Sequence, residues 1–343
     1  MASSGIRKLV NRKPFSYGYI IYRYCRDIAS LFVASLYDFK RVLKFSSAVY
    51  LGDNEEKLHA LLIMGYHSIE KGLSLPHPRP GFGRHHVHAL LLRLERYVRY
   101  FGVEDQCIVA INVLKSYCKF NESNNIVDQT LTDEIARIER LCVEGSRCPV
   151  SCSGGVRTVR AEDFYKASKI DLSEFFGARS SVRQFSEKIV PVSEIEKAIR
   201  MAQKTPSSCN RQSARVRLLN KNSDVQDALK IQNGAQGFAG AVTTVLVVTS
   251  DLSCFQSAGE RYQCWIDGGM FAMSIIYALH SLGLVSCCLN WSKKKDVDVR
   301  FKRRFSIPHS ESIIVLVAVG YPPDEFKIAE SSRKKLERVL IAH

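Results

Sequence analysis

Two guanidinium groups and two hydroxyls crowd into Arg179-Ser180-Ser181-Val182-Arg183, and some twenty residues later amides and hydroxyls gather in Pro206-Ser207-Ser208-Cys209-Asn210-Arg211-Gln212. In the first segment Arg179, Ser181 and Arg183 alternate just before an amphipathic stretch, so they can converge on one anion such as a phosphate. In the second, Pro206 and the paired serines end a helical pattern and leave Asn210 and Gln212 directed at whatever the first segment holds. Serine before a helix is also an ordinary cap, and arginine there an ordinary solvated charge. The order and spacing of the two segments carry the argument.

Other candidate groups are weaker. His67 and Glu70 share a helix face at a spacing of three, which permits an acid-base or ligand pair, but one His and one Glu do not close a metal site. A surface hydrogen bond with Gly72 as the helix C-cap is the simpler reading. His85, His86 and His88 point in different directions on a helix. Cys142, Cys148 and Cys152 match no zinc or iron-sulfur spacing and read as ordinary buried or loop thiols. No metal is expected.

The elements that must position these groups differ between the two halves. Up to residue 165 the pattern is helical: Leu58 to Met64, Ala89 to Tyr97, Ile108 to Leu114 and Leu131 to Cys142 repeat apolar residues at helix spacing. Pro76 to Gly83 interrupts them as a rigid loop. Residues 143–165, with Gly145, Pro149, Gly154 and Gly155, read as a linker. Beyond it helices alternate with strands. Helices are expected over Val192 to Lys204 and Ala258 to Leu282, and strands over Val216 to Leu219, Val242 to Val248 and Ile313 to Val319, the last buried on both faces. The expected division is therefore a helical domain over 1–165 and an α+β domain over 166–343.

Composition sets limits. A chain of 343 residues that is 46% hydrophobic can bury two cores. Eleven cysteines without paired spacing suggest a reducing compartment, hence a cytoplasmic protein. No secretory signal is expected, because Met1 to Lys13 has no apolar run of the needed length. Tyr17 to Tyr37 is apolar and aromatic, yet Arg23, Arg26 and Asp27 argue against a membrane span. An amphipathic helix packed on its own domain or on a partner subunit is the simpler reading, and peripheral contact with a membrane the other. The net charge of +15 raises the prior for acidic partners. No nucleic-acid module accompanies the basic runs, including Lys293 to Arg304, so no specific nucleic-acid partner is expected.

From Arg179 onward the pattern resembles the nitroreductase family of FMN-dependent oxidoreductases, whose members carry Arg-x-Ser-x-Lys/Arg-x-Phe and then Pro-Ser-Ser-x-Asn-x-Gln. The resemblance covers about residues 173–340. It includes Asp267-Gly268-Gly269 at the start of an apolar helix, Leu282-Gly283-Leu284 at its end, the Ser312-to-Gly320 strand and Arg333. It implies a mixed, mainly antiparallel sheet between helical layers, and a homodimer with FMN at the subunit interface. It implies that Arg179, Ser180, Ser181, Arg183, Pro206, Ser207, Ser208, Asn210, Gln212 and Arg333 bind FMN, some of them from the other subunit. Leu289, Asn290 and Trp291 would lie against the ring. NAD(P)H would reduce the flavin and leave before a small-molecule acceptor takes the hydride, a ping-pong sequence that needs no nucleophilic side chain. The segment His67 to Ser74 looks like one in longer bacterial nitroreductase-like proteins that accompany polysaccharide-synthesis genes. Three positions depart from the family pattern: Ser213-Ala214 replaces Pro-Trp, Asn290 stands where an acidic residue is frequent, and Ser331 where a basic one is. Arg211 and Arg215 add charge that would suit an anionic substrate, or are solvated side chains on a strand edge. The contrasting class is a non-catalytic scaffold of the same fold that binds a partner or a membrane surface.

Overall fold

A computed structural model describes residues 15–46, 54–75, 77–145, 154–156, 171–326, 328 and 336–341. Arg333, Ser331, Cys148, Cys152 and the boundary at residues 165/166 lie outside the described residues.

The first half is helical. A long helix α1, Phe15–Phe45, precedes α2, Glu55–Leu73, α3, Arg84–Phe101, α4, Asp105–Glu122, and α5, Gln129–Gly145. Helix α2 begins where the Asn54 side chain accepts the Glu56 amide at 3.0 Å. Its buried residues Leu58, Leu62, Tyr66, Ile69 and Leu73 recur at three and four, and they meet Leu90, Leu94, Ile111, Leu114 and Ile138 in one core. Gly72 is not the C-cap expected from its type: α2 runs on to Leu73 and Ser74 caps it. A Cβ at Gly72 would stand 2.1 Å from the Phe82 ring, so the glycine makes room for the proline-rich loop. That loop is fastened to α4 by Tyr117 Oη, which donates to the Phe82 carbonyl at 2.7 Å, and by Asn121, which accepts the Gly81 amide at 2.7 Å. The expected linker overlaps the end of α5, which continues to Gly145.

The second half opens with α6, Leu172–Ala178, and α7, Val192–Ala202. There follow β1, Ala214–Leu219, α8, Asn222–Gln232, β2, Thr244–Asp251, α9, Gln263–Ser281, β3, Val285–Asn290, α10, Lys295–Arg304, and β4, Glu311–Gly320. The four strands pair antiparallel in the order β1-β2-β4-β3, and one isolated parallel bridge, Ser181 to Ser286, adds the mixed character. Because successive strand residues face opposite sides, Val245 and Val247 pack with Leu229 and Phe301 from α8 and α10. Leu246 and Val248 pack with Ala198 and Ile275 from α7 and α9. The sheet is therefore an α+β sandwich centre with helices on both faces, as the resemblance implied. Gly268 lets α9 approach closely, since a Cβ there would lie 2.6 Å from Ile314 Cγ1.

The two halves meet along a polar and apolar seam. Arg41 of α1 is buried and donates to the carbonyls of His309 at 3.0 Å and Glu311 at 2.6 Å. Ala60 of α2 packs with Leu252, Cys254 and Phe255 just after β2. No described helix is long and apolar enough to cross a membrane.

Candidate functional site

The Arg179 to Arg183 segment leaves α6 in extended conformation and runs beside β3. The Val182 amide donates to the Ser286 carbonyl at 3.0 Å, and Val182 also bridges Ile328. With Val182 buried between its neighbours, Arg179, Ser180 and Ser181 are half-buried and Arg183 is exposed. A cavity of about 140 Å³ opens here, lined by Arg179, Ser180, Val182, His280, Ser286 and Ile328. Burial raises the Cys287 thiol, and the charge of Arg183 tempers that rise. Among the described residues neither Arg179 nor Arg183 has an ion-pair or hydrogen-bonding partner for its side chain.

The Pro206 to Gln212 segment is built differently. After α7 the chain makes a short turn over Ser208–Asn210, and Cys209, Asn210 and, just beyond it, Gln212 have φ of 49°, 54° and 50°. Three non-glycine residues in the left-handed region cost conformational energy, and the surroundings must hold them there. Arg211 does so: it is buried, donates to the Ser208 carbonyl at 3.0 Å and to its hydroxyl at 2.7 Å, and forms an ion pair with Glu260. Burial works to raise the Glu260 carboxyl, but Arg211 and the Gln256 amide outweigh it and hold the group below its ordinary range. Asp267, inside the otherwise apolar α9, accepts the Ser208 amide at 3.1 Å. Ser207 Oγ accepts the Gln212 amide at 3.0 Å. Arg215 donates to Glu56 at 3.3 Å across the seam. The cationic charge considered for an anionic substrate is thus already neutralised at both Arg211 and Arg215.

The two segments are not brought together within one subunit. Ser181 bridges Ser286, which pairs with Val319 near one end of β4, beyond the β3 edge. Ala214 pairs with Ser250, which pairs with Ser312 at the other end of β4, on the β1 edge. At about 4.8 Å per strand and about 3.4 Å per residue, these corners are on the order of 30 Å apart.

The third group, Leu289 to Trp291, ends β3. Leu289 is buried in the core, and Trp291 stacks on Phe301 with ring centroids 4.5 Å apart. Trp291 Nε1 donates to Asp298 at 2.8 Å, a carboxylate that also accepts the Tyr37 hydroxyl of α1 at 2.8 Å and pairs with the buried Lys302 at 2.8 Å. Those two side chains are committed to packing. Asn290 is exposed, bonds Ser292 at 2.9 Å, and its carbonyl accepts Gln232 at 2.9 Å. His67 and Glu70 lie 3.5 Å apart, Glu70 also accepting the Gly155 amide. No metal-holding group occurs among the described residues.

Glu260, Asp267 and Asp298 were missed as site-building residues. A carboxylate inside a largely apolar helix was the available signal for Asp267, and the i,i+4 spacing to Lys302 the one for Asp298; nothing local marks Glu260.

A cleft of about 400 Å³ opens beside the second segment, with Pro206, Ser207 and Gln212 on one wall and His59 and Gln106 of the helical domain on the other.

The matches to known proteins fall in the second half of the chain. A provisionally named NADH dehydrogenase/NAD(P)H nitroreductase of Methanothermobacter thermautotrophicus is 24% identical over 159 residues, 46% of this chain and 81% of its own length. An FMN-dependent nitroreductase of Clostridium difficile is 20% identical, with a TM-score of 0.42 over 49% of this chain and 98% of that one. A provisionally named nitroreductase of Desulfovibrio desulfuricans, solved in complex with FMN, is 16% identical, with a TM-score of 0.43 over 51% of this chain and 98% of that one. The model of the nitroreductase family matches residues 177–233 and 217–321, within the second half of this chain.

Proposed function

We propose that the chain is an FMN-dependent oxidoreductase that takes hydride from NAD(P)H and delivers it to a small-molecule acceptor in ping-pong alternation. The observation that carries this reading is the pair of half-sites at opposite corners of one sheet. One copy does not close them on a single ligand, whereas a two-fold pair of copies sets the basic corner of one against the amide corner of the other. The exposed Trp265, Ile266 and Met270 on α9 supply an apolar face for such a pair.

The residues present suit the cofactor. Arg179 and Arg183 are available for a phosphate, with Ser180 and Ser181 as hydroxyl partners. The Ser207 to Gln212 turn presents hydroxyls and amides on a backbone held rigid by Arg211 and Asp267, suited to a polar ring edge. Arg333 belongs to the same proposed set through the family pattern. When bound, FMN supplies the hydride carrier; the chain's own residues bind it, fix its orientation and, at the backbone around Asn290, shape the face open to the reactants. The free cysteines of the described residues support a reducing, cytoplasmic setting. The segment His67 to Ser74 supports a place in polysaccharide or other secondary biosynthesis.

The test is the visible spectrum of the purified protein before and after anaerobic NADPH or NADH. Yellow protein that bleaches, beside a colourless Arg179→Ala/Arg183→Ala variant, is the expected result. Colourless protein that also refuses added FMN sinks the redox mechanism and leaves the non-catalytic scaffold.

A further inference from the structure

The helical domain has no place in the reading above, yet it forms a wall of the 400 Å³ cleft beside the Pro206 to Gln212 turn. That volume lies in the range of small-molecule sites. Both cationic side chains on its lining are already paired, and its one carboxylate is held by neutral donors. Arg211 is bound to Glu260 and Arg215 to Glu56; Asp267 accepts the Ser208 amide and Gln263 Nε2; His59 Nε2 lies 3.5 Å from Glu104. What remains is apolar surface from Ile63, Ile199 and Phe271 together with neutral hydrogen-bonding groups. Gln106 is oriented among these: its Oε1 accepts the Tyr66 hydroxyl at 2.6 Å, which leaves the Nε2 hydrogens for the cleft. A lining that is apolar, edged with amides and without a free cation favours an uncharged, hydrogen-bonding molecule. It disfavours an anion, which would lose its hydration without gaining a counter-charge.

We infer that this seam cleft binds the acceptor, that the acceptor is an uncharged polar organic molecule, and that His59 and Gln106 select it. The inference rests on the flavin reading for the word acceptor, and on the cleft alone for the binding. It gives the helical domain a function: specificity, supplied from outside the family domain. Glu56, one turn before His59 on α2, links the same wall to β1 through Arg215.

The near-isosteric probes 4-nitrobenzamide, uncharged, and 4-nitrobenzoate, anionic, test it. Carbethoxylation of His59 in the full-length protein, resolved by peptide mass spectrometry with exposed His85 as internal reference, reads occupancy independently of turnover. Loss of His59 modification with 4-nitrobenzamide but not with 4-nitrobenzoate is expected, and Gln203→Trp, which fills the mouth from the end of α7, restores it. In turnover, Gln106→Ala raises KM for 4-nitrobenzamide roughly three- to tenfold, the loss of one neutral hydrogen bond, while FMN content and bleaching by NADPH stay unchanged. Equal protection by both probes, or none by either, overturns the inference. So does loss of FMN from the Gln106→Ala protein, which would mean that the cleft holds the cofactor itself. Protection in a protein that binds no FMN keeps the binding site and removes the flavin reading; a yellow, bleachable protein without protection does the reverse.

Discussion

The two polar corners of the sheet domain use the same residue type in opposite ways. At Arg179 and Arg183 the guanidiniums lie on a regular extended backbone and have no partner among the described residues. At Arg211 the guanidinium is buried, saturated by Ser208 and Glu260, and spent on holding three left-handed residues in place. The difference teaches which charges are available. An unpaired arginine on relaxed backbone waits for a ligand; a paired one beneath strained backbone maintains a shape. In the sequence Arg179 and Arg183 read as cofactor ligands, while Arg211 is open between a substrate contact and a solvated side chain.

The comparison breaks most readily at Arg211. Arg211→Ala leaves the partly buried Glu260 carboxylate without its partner and frees the strained turn, so urea unfolding should show a loss of about 3 kcal/mol or more. A loss near zero would mean that the turn holds itself. At the other corner, Arg179→Ala/Arg183→Ala should leave stability within about 0.5 kcal/mol and weaken FMN binding by about a hundredfold. That is two charge-assisted bonds at roughly 1.5 kcal/mol each, and equilibrium dialysis against free FMN reads it. A destabilised double variant would erase the distinction between the corners.

The Arg211 clamp also has a pH signature. The Glu260 carboxyl is held below its ordinary value in the folded chain, so its contribution is present above the unfolded carboxyl's range near 4.5 and is lost as pH falls through the lower folded value. The stability gap between the native chain and Glu260→Gln should therefore be constant from neutral pH to about 5 and close below about 4. A gap that closes near neutrality would point to a different titrating group. The smallest effect is expected at Glu56→Gln, which removes a half-exposed pair with Arg215 and should change stability by less than about 0.5 kcal/mol.

How much of this was legible beforehand depended on the range of the interaction. Apolar repeats within one helix placed α2 to α5, and continuous apolar runs placed β2 and β4, because both signals are local. Helix α9 begins at Gln263, five residues after the expected start, since Ala258–Glu260 forms a separate tight turn that lends Glu260 to Arg211. Helices α8 and α10 went unread. In α10, Lys-Asp-Val-Asp-Val-Arg-Phe-Lys-Arg-Arg looks like a solvated run, but Phe301 and Lys302 are buried, and Asp298 neutralises the lysine. Arg304 is likewise taken up by Asp224 and Asp227. The basic run is therefore partly internal architecture. The acids that shape the site pair with residues 49, 59 and 261 positions away, a range at which no spacing rule operates. Gly72 looked like a cap because its reason for being glycine, the Phe82 ring, belongs to the next loop.

The carboxylate of Asp298, shared by Tyr37 and Trp291, gives the protein an optical reporter of its own. The chain has two tryptophans. Trp265 is 42% exposed on α9, while Trp291 donates its indole hydrogen to the same acid that anchors the first helix. Emission from the two indoles therefore reports two sides of the molecule. Lifting α1 from the sheet domain removes the Tyr37 partner of the acid beside Trp291 and opens the groove that Trp265 lines with Phe39 and Val42 of α1, whereas pairing of two copies through the exposed face of α9 alters the surroundings of Trp265.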